Sequence, residues 1–458
     1  MQETSQDIIQ AIYKRQQSYF ATNCTKNVDF RINQLKKFKN SIEKYQKQIE
    51  EALWLDLHKS PEEAYLTEIS IVLTEIKNHL KHIKSWSKTN RVPTPLFLQP
   101  SSSRIIYEPL GLTLIIAPWN YPFQLTMNPL IGAISSGCCA ILKPSPDTSA
   151  IAKVMEKIIA ETFDPEYICL VQGGRETNTY LLQERFDSIF FTGSSRVGKI
   201  VMKAAAENLT PVVLELGGKS PCIVEKEANI DIAAKRIIWG KLINGGQTCI
   251  APDYVYVHSS IKEKLLQKMV EHLTDMYGSN IKESRFYPRI VNEQALLRLE
   301  GLMNEGTIYY GGEVDKAEKY ISPTILDGIT IDHAIMQEEI FGPLLPILTF
   351  EKIDEVIDYV NSKEKPLALY YFGDKTKSAY VLARTSSGGV CVNDILMHIT
   401  NHHLPFGGVG NSGVGKYHGK ESFLIFSNQK AIVSSLTWID LPFKYIPFKW
   451  FKLMKKIL

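Results

Sequence analysis

Cys249, Glu215 and Asn120 have the types and settings to do chemistry together. Cys249 closes the run Asn244-Gly-Gly-Gln-Thr-Cys just after a helical stretch, where small neighbours let a substrate come close to a thiol. Such a cysteine is either a nucleophile or a small buried hydrophobe. Glu215, in Leu214-Glu-Leu-Gly-Gly-Lys, stands at the carboxyl end of an apolar strand, as a general base facing a cleft or as a turn carboxylate in water. Asn120, in Pro118-Trp-Asn-Tyr-Pro, also ends a strand, and its amide suits a developing oxyanion or the turn itself. A further segment, Gly193-Ser-Ser-Arg-Val-Gly198-Lys199, lies between a strand and a helix. It reads as a phosphate-holding helix start or as an ordinary glycine-containing one. Ile200 stands where a Walker A loop carries Ser or Thr, which disfavours a P-loop hydrolase.

The elements that must position these groups read as α/β. Apolar steps of three and four predict helices over Ile32 to Leu55 and Tyr65 to Trp86, followed by a Pro-rich boundary from Val92 to Pro100. Short apolar strands then alternate with helical patterns: LTLIIAPWN, CAILKPS, ICLVQGG, SIFFTGS and PVVLELGGK, with helices from about Thr148 and Arg196. Beyond Gly218 the alternation resumes through helix 230–243, YVYVH, helix 261–276, TIYYGG, helix 352–361, LALYYFG and GGVCVN. Strands separated by crossover helices predict parallel sheets, and two such units leave a cleft at the carboxyl ends of their strands.

Length and composition set the outer limits. The 458 residues, 44% hydrophobic and 22% charged, predict a multidomain globular chain rather than a disordered or short binding module. Fifty-two basic and forty-nine acidic side chains leave +3, which argues against a general nucleic-acid binder. Seven cysteines without CxxC or Cys/His spacing argue against a disulfide framework and a structural metal, and fit a reducing cytoplasm. Cys138 and Cys139 read as packing. The start, MQETSQDIIQ, lacks the features of a secretory or transit leader. The 34 uncharged residues between Glu108 and Lys143 read as core, because prolines and asparagines interrupt them. The segment 436–458 differs: six aromatics, five lysines and one acid. It fits a peripheral anchor on an acidic membrane or a tail docked on the chain's own dimer.

Together the segments resemble the aldehyde dehydrogenase superfamily, in particular its short class 3 group. The resemblance is carried by APWNYP (117–122), LKPS (142–145), FTGS…VGK (191–199), LELGGKSP (214–221), GQTC (246–249), QEEIFGP (337–343) and LPFGGVGNSG (404–413), in the family's order, with YHGK (417–420) near the end. It implies two Rossmann-like parallel-sheet domains and a small bridging or oligomerisation hairpin. The division implied is 1–86 with 108–212 for NAD(P), 213–400 for catalysis, 87–107 with 401–435 as the bridge, and 436–458 as the tail.

It also implies oxidation of an apolar aldehyde (medium- or long-chain, aromatic or polyene) to the acid with NAD or NADP. Cys249 is then the nucleophile, Asn120 and a backbone N–H the oxyanion donors, and Glu215 the base that activates water for thioester hydrolysis. Members that pass the acyl group to coenzyme A generally lack this glutamate. The cofactor positions implied are Gly193, Ser194 and Gly198 at the pyrophosphate-binding turn, Lys143 at the adenosine ribose, Glu339 at the nicotinamide ribose and Phe341 against the ring region, with no metal. The positive nicotinamide ring and helix N–H groups are expected to help ionise the thiol. A homodimer in the cytoplasm, with the tail at the inner membrane face as one alternative, completes the expectation. One departure matters: many NAD-preferring relatives read LKPSE, whereas Pro146 and Asp147 follow Ser145 here, leaving the choice of NAD or NADP open. The rival classes are a P-loop hydrolase and a non-catalytic lipid-associated protein.

Overall fold

The steps of three and four between Leu35, Phe38, Ile42, Tyr45, Ile49 and Leu53 bury one face of a helix completely enough to fix it against the rest of the chain. In a computed structural model that describes residues 3–440, 442, 445–448, 450–452 and 455, that helix runs Val28–Leu57. It begins at Asn27, whose side chain accepts the N–H groups of Asp29 and Phe30, and ends at His58 in the left-handed region. It is longer at both ends than its apolar stripe, because caps rather than hydrophobic residues set helix termini. The expected second helix starts four residues earlier and is continuous through Pro61–Ala64, a π-helical turn Tyr65–Ile69 and Ser70–Trp86. A further helix, Gln6–Ala21, lies against the core through Ile9 and Tyr13, and its buried Gln16 donates to the carbonyl of Ala140 at 3.0 Å.

Two large sheets carry the chain. The first has the order Gly413–Val414, Val212–Glu215, Ser188–Thr192, Leu112–Ile116, Cys139–Lys143, Ile168–Leu170, parallel throughout except at Gly413–Val414. The chain leaves Leu112–Ile116 toward one edge and later returns to pair Ser188–Thr192 on its other side, so the strand order reverses there. That switch point is where open α/β sheets bind ligands.

The second sheet has the order Thr307–Tyr310, Thr324–Asp327, Leu344–Phe350, Tyr254–His258, Pro221–Val224, Ala368–Phe372, Gly389–Val392. Its first strand is antiparallel and the other pairings are parallel. The expected TIYYGG strand is thus an edge. A small antiparallel sheet of Asn90–Val92, Ser102–Pro109 and Ser427–Ser434 stands apart from both, as the implied hairpin would.

Cys138 and Cys139 are fully buried, in line with packing. Among the described residues no helix is long and apolar enough to cross a membrane. Of the tail's aromatics and lysines, Phe443, Lys444, Lys449 and Lys456 lie outside the described residues. Trp438, Ile446, Phe448, Trp450 and Phe451 are exposed, Trp438 by 76% and Ile446 by 83%.

Candidate active site

Apart from Cys249, the chemically capable residues lie at or just beyond the carboxyl end of a strand, where side chains turn from the core toward the cleft. Leu112–Ile116 leads to Asn120, Ser188–Thr192 to Gly193 and Ser194, and Val212–Glu215 ends on Glu215 itself. Cys249 follows a tight turn after the helix Ile230–Leu242, in which Asn244 and Gly245 are both left-handed, a conformation glycine and asparagine tolerate.

These residues converge. A cavity of about 270 Å³ is lined by Asn120, Thr192, Gly193, Ser194, Glu215, Cys249, Glu339 and Phe341, with Trp119, Phe406 and Tyr417 among the rest. A second cavity, of about 520 Å³, meets it at Cys249, Leu125 and Phe406. Its wall is largely apolar: Leu66, Ile71, Trp239, Ile243, Met276, Phe286, Leu396 and Ile399. Two sequence candidates lie off both linings. Lys143 ends its strand buried, with its amine donating to the carbonyl of Pro144 at 2.8 Å. Gly198 lies inside the helix Ser195–Ala206, where a Cβ would come 2.8 Å from Leu216, so it serves close packing.

Asn120 is buried, and its amide nitrogen donates to the Gln247 carbonyl at 3.0 Å. An amide has two N–H groups, so this bond orients the side chain and leaves a donor for the cavity. Glu215 is buried with neither carboxylate oxygen hydrogen-bonded. Room for it depends on Gly407, where a Cβ would lie 2.7 Å from Oε1. Burial pushes its carboxyl well above the usual range, opposed by the charge of Lys416. Burial likewise pushes the Cys249 thiol up, and the charges of Glu339 and Glu215 add to it. The resting site therefore favours a neutral thiol, and ionisation needs added positive charge in the cleft. Burial, then Asp253, raises Glu339 to about 8, while burial lowers Lys143 to about 8.

The cleft fits a dinucleotide. Gly193 lines the cleft with its N–H given to the Glu215 carbonyl at 3.0 Å and no room for a Cβ, which would fall 2.7 Å from the Phe191 ring. The helix start that Ser194 caps follows directly and suits an anion. Thr192 Oγ1 is buried in the same lining without a partner, and Lys143 has donors to spare. Phe341, held left-handed at φ 50°, sets its ring 5.3 Å from Trp119, edge to face.

The sequence motifs and this geometry have counterparts in known proteins. Residues 1–432 match the model of the aldehyde dehydrogenase family. The chain belongs to the aldehyde dehydrogenase family. As such it is an oxidoreductase that acts on aldehydes. It is 49% identical over 446 residues to the 4,4'-diaponeurosporen-aldehyde dehydrogenase of Staphylococcus aureus, covering 97% of each chain. It is 44% identical to the dimeric NADP-preferring aldehyde dehydrogenase of Rattus norvegicus, covering 92% of this chain and 94% of that one. A solved structure described as the substrate-bound state of Staphylococcus aureus AldH superposes with a TM-score of 0.95 at 48% identity, covering 98% of this chain and 99% of that one. The class 3 resemblance seen in the motifs therefore extends over nearly the full length of this aldehyde dehydrogenase.

Sequence reasoning missed the residues behind the site. Lys59 and Glu68 are fully buried and pair at 2.5 Å, and Lys59 also donates to the Asn120 carbonyl at 2.9 Å. Lys59 follows the first predicted helix and Glu68 falls within the second, and no local signal marks either charged residue as core.

Proposed function

We propose that this aldehyde dehydrogenase oxidises an apolar aldehyde (medium- or long-chain, aromatic or polyene) to the carboxylic acid with NAD or NADP. The observation that carries the reading is the position of Cys249, where a cleft that presents Asn120, Thr192, Glu215 and Glu339 among apolar residues meets a second channel with mainly apolar walls. The relative named for 4,4'-diaponeurosporen-aldehyde and the one named NADP-preferring support the two halves of the reading.

In this mechanism the Cys249 thiol first loses its proton to solvent, and the thiolate attacks the aldehyde carbon to give the oxyanion of a thiohemiacetal. The second N–H of Asn120 and the backbone N–H of Cys249 hold the oxyanion. Gly193 and Ser194 would lie at the pyrophosphate, with Gly198 packing the helix that follows close to Leu216, while Lys143 and Glu339 would take the ribose hydroxyls and Phe341 would back the ring region. The nicotinamide, when bound there, supplies the acceptor for the hydride and a positive charge near the thiol. Loss of hydride leaves a thioester on Cys249. Glu215 then takes a proton from water, the hydroxide adds to the thioester carbon, and the carboxylic acid leaves as the thiol is restored. A raised carboxyl is the stronger base once it has lost its proton, which suits Glu215 to water. With proline at 146 no carboxylate at that residue repels a 2′-phosphate, which supports acceptance of NADP beside NAD.

The reading predicts a chain-length series. Each methylene buried in the channel contributes about 0.8 kcal/mol, so kcat/KM should rise by about 10²-fold from propanal to heptanal, followed by absorbance of the reduced cofactor. A flat series would contradict an apolar channel, and no reduction with any aldehyde would favour a binding protein.

We further propose a cytoplasmic homodimer held at the inner membrane face by segment 436–458. The rat relative is named dimeric, and the exposed Trp438, Trp450 and Phe451 alternate with lysines in the manner of an interfacial segment. Each lysine near an acidic surface contributes about 1 kcal/mol. Phosphatidylserine vesicles should sediment the native protein at low salt and release it at high salt, while a chain ending at Ser435 stays in solution. Equal sedimentation of both, or a truncated protein that becomes monomeric with unchanged lipid binding, would instead assign the tail to the dimer.

A further inference from the structure

The short segment from Lys59 to Ile69 sends three charged side chains toward the site. Lys59 bonds the Asn120 carbonyl and Glu68, as described. Glu68 Oε2 in turn accepts the N–H groups of Phe123 at 2.8 Å and Gln124 at 3.2 Å, in the first turn of the helix Pro122–Ser136. Glu63 Oε1 accepts the N–H of Asn244 at 2.7 Å, in the turn that leads to Cys249. Asn244 Nδ2 returns to the same Asn120 carbonyl at 2.8 Å. On an α-helix of 3.6 residues per turn, positions five apart point about 140° from each other. The π-helical turn Tyr65–Ile69 wraps an extra residue into its turn, which brings Glu63 and Glu68 toward one face.

The three groups are not equivalent. Glu68 has an ammonium and two N–H donors, whereas the carboxylate of Glu63 has the single N–H of Asn244 and lines the apolar channel. The titratable and charged groups around Glu63 are Lys59 and Glu68 on its own segment, Tyr121 before the helix Pro122–Ser136, and Tyr277 at the end of Lys262–Tyr277. Glu62, paired with Arg285 at 2.6 Å, and Cys249 also line or flank the channel. Burial raises the Glu63 carboxyl to about 7, with Lys59 opposing.

We propose that Glu63 is a specificity-determining residue: a channel carboxyl that takes up a proton when an apolar chain displaces water from it, so that affinity for apolar chains falls as pH rises. This rests on the reading that the channel holds the apolar part of the aldehyde. The sign follows from linkage. Removing water disfavours the charged carboxylate, so the occupied channel holds the proton to higher pH than the empty one. Binding is then strongest below the free-state value near 7 and weakens as pH rises toward the occupied-state value. A rise of one further unit on occupancy makes binding about tenfold weaker on the alkaline side.

The test uses 1-decanol as an apolar probe that cannot form a thioester. Its Kd and the protons taken up on binding are measured by calorimetry in two buffers from about pH 6 to about pH 9, a span that brackets the carboxyl. The native protein should bind about tenfold more weakly at the alkaline end and take up a fraction of a proton in between. Glu63→Gln keeps an oxygen for the Asn244 N–H but has no charge to neutralise. It should bind at every pH as tightly as the native protein does in acid, with no uptake assignable to this site. Equal pH dependence in native and variant protein would overturn the role of Glu63 while leaving the apolar channel intact. Failure of 1-decanol to bind either protein at any pH would overturn the channel reading, and this inference with it.

Discussion

Cys249→Ala is expected to lower aldehyde-dependent reduction of NAD or NADP by about 10⁴-fold or more, in single-turnover as well as steady-state measurements. No other thiol can take over. Cys222 lies fully buried in a strand, Cys138 and Cys139 are core, Cys169 lies in the strand Ile168–Leu170, Cys24 in the turn Cys24–Lys26, and the Cys391 thiol faces His398 at 3.2 Å. None of these lines either cavity. Because Cys249 is half-buried at the meeting of the two cavities, alanine there removes a nucleophile without leaving an uncompensated charge or a large void. Cofactor affinity, followed by fluorescence titration, should therefore stay within about threefold of native, a change under 1 kcal/mol. Near-native turnover in this variant would remove the thiol from the chemistry altogether.

Glu215→Gln is expected to separate the two half-reactions. Attack and hydride loss do not require a base at this position, so a first turnover should still produce reduced cofactor in proportion to enzyme. Steady turnover should fall by about 10²-fold to 10⁴-fold, the usual range for loss of a positioned base. Glutamine matches the shape that Gly407 accommodates and keeps the carbonyl oxygen, yet it cannot accept a proton from water. Rapid-mixing absorbance measures both phases. Loss of the burst together with turnover would instead place Glu215 in the ionisation of Cys249, and unchanged turnover would remove it as the base.

What the sequence disclosed and what it hid follow from the range over which each signal acts. Asn120, Gly193 and Glu215 were legible because each sits at the carboxyl end of a short apolar strand, a local pattern. Glu339 and Phe341 were legible only through resemblance, since nothing local marks QEEIFGP as part of a cleft. Leu344–Phe350, a central strand, was hidden by Pro346, because proline there argues against a ladder position. Gln6–Ala21 was hidden by its polar composition, with the amide nitrogen of its buried Gln16 donating to carbonyls of distant segments. Lys59 and Glu68 were hidden more deeply: charged residues predict solvent, and their burial is compensated by Asn120, Phe123 and Gln124, about sixty residues along the chain. The channel draws on segments near 60–71, 121–125, 239–250, 276–286 and 396–406, and its apolar wall is a property of their meeting.

An acyl group carried by Cys249 is the intermediate that both half-reactions share, and its mass can be measured. Glu215→Gln protein mixed with heptanal and NAD or NADP, quenched in acid and analysed by intact-protein and peptide mass spectrometry, should gain the mass of one heptanoyl group, mapped to the peptide containing Cys249 and removed by hydroxylamine. Cys249→Ala introduced into the same protein should gain none. An acyl group on any other residue, or reduced cofactor formed in stoichiometric amount with no acylated protein while the thioester is protected from hydrolysis by acid, would contradict the mechanism.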